Sequence, residues 1–123
     1  NLVTALSNDY GYDKWVEKAI SYYAQPKDRV VFISVSGNSA NLVNGLKYSK
    51  SKGIDTASLT GSSADNYLRN NSECSLWVDS QAYNIVESIH TIWITLIIDL
   101  FIGNAEYTVS WFNVNVKKKQ QWS

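Results

Sequence analysis

Residues 30–40, reading Val-Val-Phe-Ile-Ser-Val-Ser-Gly-Asn-Ser-Ala, constrain this chain more than any other stretch. The β-branched and aromatic run at its start reads as a buried parallel strand. The chain then turns through Ser34, Ser36, Gly37 and Ser39 and passes into a helical pattern near Ala40. A strand that ends in hydroxyls and opens a helix is suited to an anion. The helix end supplies unpaired N–H groups and the positive end of its dipole, and the serines add donors of their own.

The surrounding sequence repeats this strand-then-helix rhythm. Residues 1–7 are short and apolar, open to a strand or a helix end. Residues 8–12, Asn-Asp-Tyr-Gly-Tyr, carry turn chemistry. Asp13 is the expected N-cap of a helix to about residue 24, with Trp15, Val16, Ala19, Ile20 and Tyr23 on one apolar face. After the strand, a helix is expected over residues 39–52, with Leu42, Val43 and Leu46 inward and Gly53 as its stop. A second strand over residues 55–59 ends in Thr60-Gly61-Ser62-Ser63, another edge rich in hydroxyls. A short helix over 64–69, a third strand over 74–78 and a long helix over 81–102, capped by Ser80, complete the pattern. That helix is apolar nearly all the way round, which predicts burial against a second subunit as well as its own sheet. Regular alternation of this kind predicts an α/β fold with parallel strands and ligands at their carboxyl ends.

Composition narrows the function classes. The 123 residues suit one domain, and 45% hydrophobic with 18% charged residues describe a globular chain. A net charge of +0 provides no basic field, so nucleic acid is not an expected partner. The single cysteine, Cys74, excludes an internal disulfide and a cysteine-based zinc cluster, and reads as a small buried residue in a strand. The apolar run over 92–102 is interrupted by Thr95 and Asp99 and is short for a membrane span. With no secretory signal visible, the expectation is no membrane association and a cytoplasmic location. The sequence contains Met 0 and starts at Asn1, which predicts that an N-terminal part is missing. Residues 1–103 are expected as the domain and 104–123 as a tail of uncertain structure, whose lysines 117–119 read as solvated.

At Ser34-Val35-Ser36-Gly37-Asn38-Ser39-Ala40-Asn41 the chain resembles the sugar isomerase (SIS) domain. More narrowly it resembles the phosphoheptose isomerases, which interconvert sedoheptulose 7-phosphate and a heptose 7-phosphate. Supporting matches, in order, are Ser7-Asn8-Asp9-Tyr10-Gly11-Tyr12, Lys52-Gly53, Leu59-Thr60-Gly61 and the stretch from Ile85 to His90. The resemblance implies a three-layer α/β/α fold of SIS (flavodoxin-like) type, truncated at its N-terminus, and a tetramer or other homo-oligomer. It implies that Ser34, Ser36 and Ser39, with the Val35 backbone, bind the substrate phosphate, and that Asn8 and Asp9 contact the sugar. Glu87 stands where the family has a glutamine that touches substrate and, in zinc-bearing members, the metal. It is thereby a candidate catalytic and metal residue, open equally to being a carboxylate paired with a lysine.

The chain also departs from the family. Thr95 stands where a histidine serves as proton donor or metal ligand, and threonine is neither an acid near neutral pH nor a good zinc ligand. His90, the only histidine, lies about 140° away round a helix and reads as a packed, hydrogen-bonded residue. The family's Gly-Asn-Gly-Gly-Ser loop and the helix that carries its catalytic glutamate are not in this sequence. Two functions follow from the resemblance. One is a phosphosugar isomerase of the sedoheptulose 7-phosphate type, serving heptose biosynthesis. The other is a non-catalytic module that binds phosphosugars or other proteins. Zinc is a possible cofactor by resemblance only.

Overall fold

The computed structural model describes residues 1–104 of the chain; most of the expected tail, with its lysine run, lies outside the described residues. Contacts divide the chain into a unit of Asn1–His90 and a second unit from Thr91 onward. In the first unit, α1 (Leu2–Tyr10) is followed by a 3-10 turn (Tyr12–Lys14) and α2 (Trp15–Tyr23). Then come β1 (Arg29–Ser34), α3 (Ala40–Ser51), β2 (Asp55–Thr60), α4 (Tyr67–Asn71) and β3 (Cys74–Trp77). The last helix, α5 (Tyr83–Ile102), begins in the first unit and continues into the second.

The strands form a parallel sheet in the order β1-β2-β3. Val30 stands opposite Thr56, Phe32 opposite Ser58 and Ser34 opposite Thr60; Leu59 pairs in turn with Leu76. Parallel pairing places both carboxyl ends, at Ser34 and Thr60, on one edge. The fold is thus the α/β arrangement with a parallel sheet that the alternation predicts.

The core lies between the sheet and the helices. Val16 and Ile20 of α2, Phe32 of β1, Leu46 of α3, Leu68 of α4 and Ile54 before β2 form one buried cluster. Burying side chains of this size contributes about 1.5–3 kcal/mol each. The inner face of α3 differs from the expected one. Leu42 and Val43 are half-buried, whereas Asn41, Gly45, Leu46 and Ser49 are buried. Gly45 is the reason: a methyl group there would stand 2.6 Å from Val16 Cγ1 and 3.2 Å from the Phe32 ring, so α2 can approach α3 only at a bare backbone.

Local boundaries moved where hydrogen bonding overrode composition. Asn8 and Asp9 lie in the last turn of α1, not in a turn, and the chain reverses at Gly11, whose φ is 87°. Asp13 sits in the 3-10 turn and does not cap α2 with its side chain. The short helix starts at Tyr67, later than expected, because the Asn66 side chain accepts from the Arg69 N–H as its N-cap. Ser80 bonds the Ala82 N–H, but α5 itself starts at Tyr83. Cys74 is exposed rather than buried, since β3 turns it outward.

Helix α5 also corrects an expectation. Its 20 residues are long and apolar enough, by length and composition, to cross a membrane. The interruptions at Thr95 and Asp99 do not break it, because the Thr95 hydroxyl bonds back to the Thr91 carbonyl within the helix. Val86 and His90 are its buried residues; Ile92, Leu96, Ile97, Leu100 and Phe101 are exposed.

Candidate functional site

The carboxyl end of β1 builds the candidate site. After Ser34 the chain forms a loop through Ser36, Gly37 and Ser39 and enters α3 with Ser39 as N-cap. Gly37 adopts φ 67°, the left-handed region that glycine tolerates and other residues resist. The turn is stabilised from within. The Gly37 N–H donates to Ser34 Oγ at 3.1 Å, and the Asn38 N–H donates to Ser36 Oγ at 3.3 Å. Each of these hydroxyls therefore accepts from the backbone and keeps its own O–H as a donor.

Ser39 makes no side-chain cap hydrogen bond, and its hydroxyl is likewise uncommitted among the described residues. Its carbonyl accepts from the Leu42 and Val43 N–H groups, which leaves the N–H groups of Ala40 and Asn41 without an acceptor among the described residues. These point out of the N-terminus of a 12-residue helix, where the dipole favours negative charge.

A cleft of about 370 Å³ opens over this helix end, lined by Tyr12, Asp13, Ile33, Ser34, Ser39, Ala40, Asn41 and Leu42. None of these residues is cationic. Donation to an anion would thus come from hydroxyls and backbone amides, with the Asp13 carboxylate at the rim as an acceptor. Asn41 is 9% exposed, and its side-chain amide forms no hydrogen bond among the described residues.

The residues singled out by resemblance are distributed unevenly. Ser34 and Ser39 line the cleft, and Ser36 lies in the loop between them. Val35 is buried, and its carbonyl accepts the Gly61 N–H at 3.0 Å. Asn8 and Asp9 are exposed at the end of α1, where Asn8 Nδ2 donates to Asp9 Oδ1 at 3.4 Å, and they are not among the cleft-lining residues. Glu87 is exposed on α5 and is also outside the lining. His90 is buried, with Nε2 3.1 Å from the Thr60 carbonyl oxygen, the packed role its position predicts.

Reasoning from sequence missed Tyr12, Asp13 and Asn41. Asn41 carried a usable signal: a polar residue one turn before the buried pair Gly45 and Leu46 falls on the inner face of α3. Tyr12 and Asp13 carried none, because their approach to the cleft depends on the tertiary placement of the 3-10 turn. There the Asn44 side chain donates to the Asp13 carbonyl at 3.0 Å.

Zinc can be tested on the donor set. Among the described residues no group of three or more His, Cys, Asp and Glu side chains could hold a metal ion. The one histidine is buried against a carbonyl, and Thr95 offers only a hydroxyl bonded to its own helix. The described residues of this chain do not by themselves fit a zinc site.

No protein-family model matches the chain. Among curated proteins it is 39% identical over 88 residues to a probable phosphoheptose isomerase of Thermoplasma volcanium, covering 72% of this chain and 44% of that protein. It is 43% identical over 61 residues to the phosphoheptose isomerase of Nitratidesulfovibrio vulgaris, covering 50% of this chain and 29% of the relative. The chain thus spans less than half the length of these relatives. Two solved structures share its fold. The phosphoheptose isomerase of Francisella tularensis superposes with a TM-score of 0.73 at 23% identity, covering 80% of this chain and 54% of its own. The phosphoheptose isomerase GmhA of Neisseria gonorrhoeae gives 0.72 at 27% identity, covering 80% and 56%. The fold is thus of the phosphoheptose isomerase type, and in sequence the chain is similar to part of the length of these relatives.

Proposed function

We propose that this chain supplies the phosphate-holding part of an aldose–ketose isomerase acting on a seven-carbon sugar phosphate of the sedoheptulose 7-phosphate type. The observation that carries the reading is the cleft at the start of α3. There the hydroxyls of Ser34 and Ser39 and the unpaired amides of Ala40 and Asn41 converge on one open space. Ser36 completes the loop, and Val35 contributes backbone. A phosphate needs several donors and no particular base, which is what this end of the sheet offers.

Isomerisation moves a proton between C1 and C2 through an enediol. It requires a base at carbon, an acid or a Lewis acid at the oxygens, and a clamp on the distal phosphate that holds the sugar still. The serine loop is the clamp. Asp13 at the rim, with Asn8 and Asp9 beyond it, are the residues proposed to meet sugar hydroxyls. Glu87 is the proposed carboxylate for the proton step and the candidate metal-seeking side chain. The acid or Lewis acid at the sugar oxygens would then come from groups outside the described residues. A cytoplasmic homo-oligomer in carbohydrate metabolism is the setting this reading requires.

A non-catalytic phosphosugar-binding module is the second reading, favoured by one observation: the Thr95 hydroxyl is engaged with its own helix where the family carries an acid. Titration of the chain with sedoheptulose 7-phosphate, followed by the amide resonances of residues 34–41, tests both readings. Shifts confined to that loop and the first turn of α3 are expected, and their absence at millimolar ligand sinks both. A coupled isomerase assay with and without added zinc then separates turnover from binding alone.

A further inference from the structure

We propose that Asn66 and Asn38 are positioning residues that lock the serine loop into its anion-receiving shape before any ligand arrives. Asn66 precedes α4, is 1% exposed, and uses every group of its side chain. Nδ2 donates to the Ser63 carbonyl at 2.9 Å and to Thr60 Oγ1 at 3.3 Å, while Oδ1 accepts from the Arg69 N–H at 3.0 Å. So held, the amide forms a fixed surface, and the serine loop lies against it. A methyl group at Gly37 would stand 2.0 Å from Asn66 Oδ1 and 2.4 Å from its Cγ. Gly37 is therefore required both by its backbone angle and by the side chain beneath it.

Hydrogen bonds tie the same two segments. Asn38 Oδ1 accepts from the Tyr67 N–H at 2.9 Å, and the Gly37 carbonyl accepts from the Leu68 N–H at 3.0 Å. These are first-turn groups of α4, which a helix must satisfy from outside itself. The serine loop thus completes the cap of α4, and α4 in return fixes Gly37 and Asn38. Those residues supply the N–H groups that orient the Ser34 and Ser36 hydroxyls. A loop ordered in advance does not lose that conformational freedom when it binds. The loop's back is fastened to α4 while its hydroxyl face remains directed at the cleft.

The inference rests on the phosphate-loop reading only for its affinity arm. Amide hydrogen exchange on the ligand-free chain tests the positioning directly. In Asn38→Ala, an exposed and mild change, and in Asn66→Ala, exchange at Gly37 and Asn38 should rise about tenfold or more, with the Phe32 and Leu46 amides unmoved. Affinity for inorganic phosphate should fall about tenfold in both variants. Gly37→Ala should lose binding, and Gly37→Ala combined with Asn66→Gly should recover part of it, because the overlap is with that side chain. Unchanged loop exchange in both asparagine variants, with only a lowered unfolding midpoint, overturns the proposal. A wild-type chain that ignores phosphate overturns the phosphate-loop reading instead, and loop exchange still decides the positioning role.

Discussion

Two strand ends of this sheet look alike in sequence and differ in structure. After β1 the chain reads Ser-Val-Ser-Gly-Asn-Ser, and after Leu59 it reads Thr-Gly-Ser-Ser. Both are rich in hydroxyls, and both sit at the carboxyl edge. In the first, Ser34 and Ser39 face an open cleft at the start of a 12-residue helix. In the second the hydroxyls are held in contacts of the loop itself. Thr60 is fully buried and accepts from Asn66, Ser62 Oγ donates to Gln81 Oε1 at 2.7 Å, and Ser63 Oγ accepts from the Asp65 N–H. The helix that follows, α4, has 5 residues, and its first N–H groups are already capped. Hydroxyl content therefore does not distinguish the two ends. An uncommitted helix end does, and one loop has it while the other serves as its support.

Exchanging the properties of the two ends should break this contrast. The largest effect is expected from Gly37→Ala. Left-handed backbone costs about 1–2 kcal/mol and overpacking about 1–3 kcal/mol, so both stability in denaturant and phosphate binding should drop sharply. Ser39→Ala, measured by calorimetric titration with a sugar phosphate, should weaken binding about tenfold, since a charge-assisted donor is lost. Asn41→Ala should also weaken binding, with stability little changed because the side chain forms no hydrogen bond among the described residues. If Asn41→Ala binds as wild type, the amide does not face the ligand. Ser62→Ala, at the second strand end, should leave affinity unaltered and cost about 0.5–1.5 kcal/mol of stability for the lost bond to Gln81.

The smallest effect belongs to the opposite edge of the sheet. Glu73 accepts from the N–H and the hydroxyl of Thr56, and the hydroxyl bond is the main reason its carboxyl stays ionised below its usual range. A depressed folded pKa gives stability that is complete above the ordinary carboxylate pKa and is lost as the pH falls through the folded value. Glu73→Gln should therefore flatten the acid limb of the stability profile slightly, without changing phosphate affinity at neutral pH. The exposed Arg29–Asp55 pair at 2.8 Å should contribute less still.

Much of this architecture was legible in the sequence, and the reasons are local. Strand β1 announces itself by a β-branched run, and Gly53, at φ 66°, ends the α3 segment where a glycine stop is expected. The serine loop was legible because the residues that form it are consecutive. What escaped depends on distant partners. The inner face of α3 does not follow its apolar residues, because the close approach of Val16 requires Gly45 and brings Asn41 and Ser49 inward. The supporting role of Asn66 was invisible for the same reason: nothing within its own neighbourhood indicates that Gly37 rests upon it.

The order of strands in space repeats their order along the chain. No strand must be inserted between two already paired, so the sheet can grow from one side as the polypeptide leaves the ribosome. The first pairing, tied by Arg29 and Asp55, closes over a separation of 26 residues, and the second, tied by Thr56 and Glu73, over 17. Loops of similar modest length cost similar closure entropy, the difference being under about 0.6 kcal/mol. Neither step is strongly favoured over the other by chain length, and vectorial synthesis alone sets their sequence. On that schedule β1 and α3 emerge before α4, and the serine loop acquires its backing only when residue 66 follows.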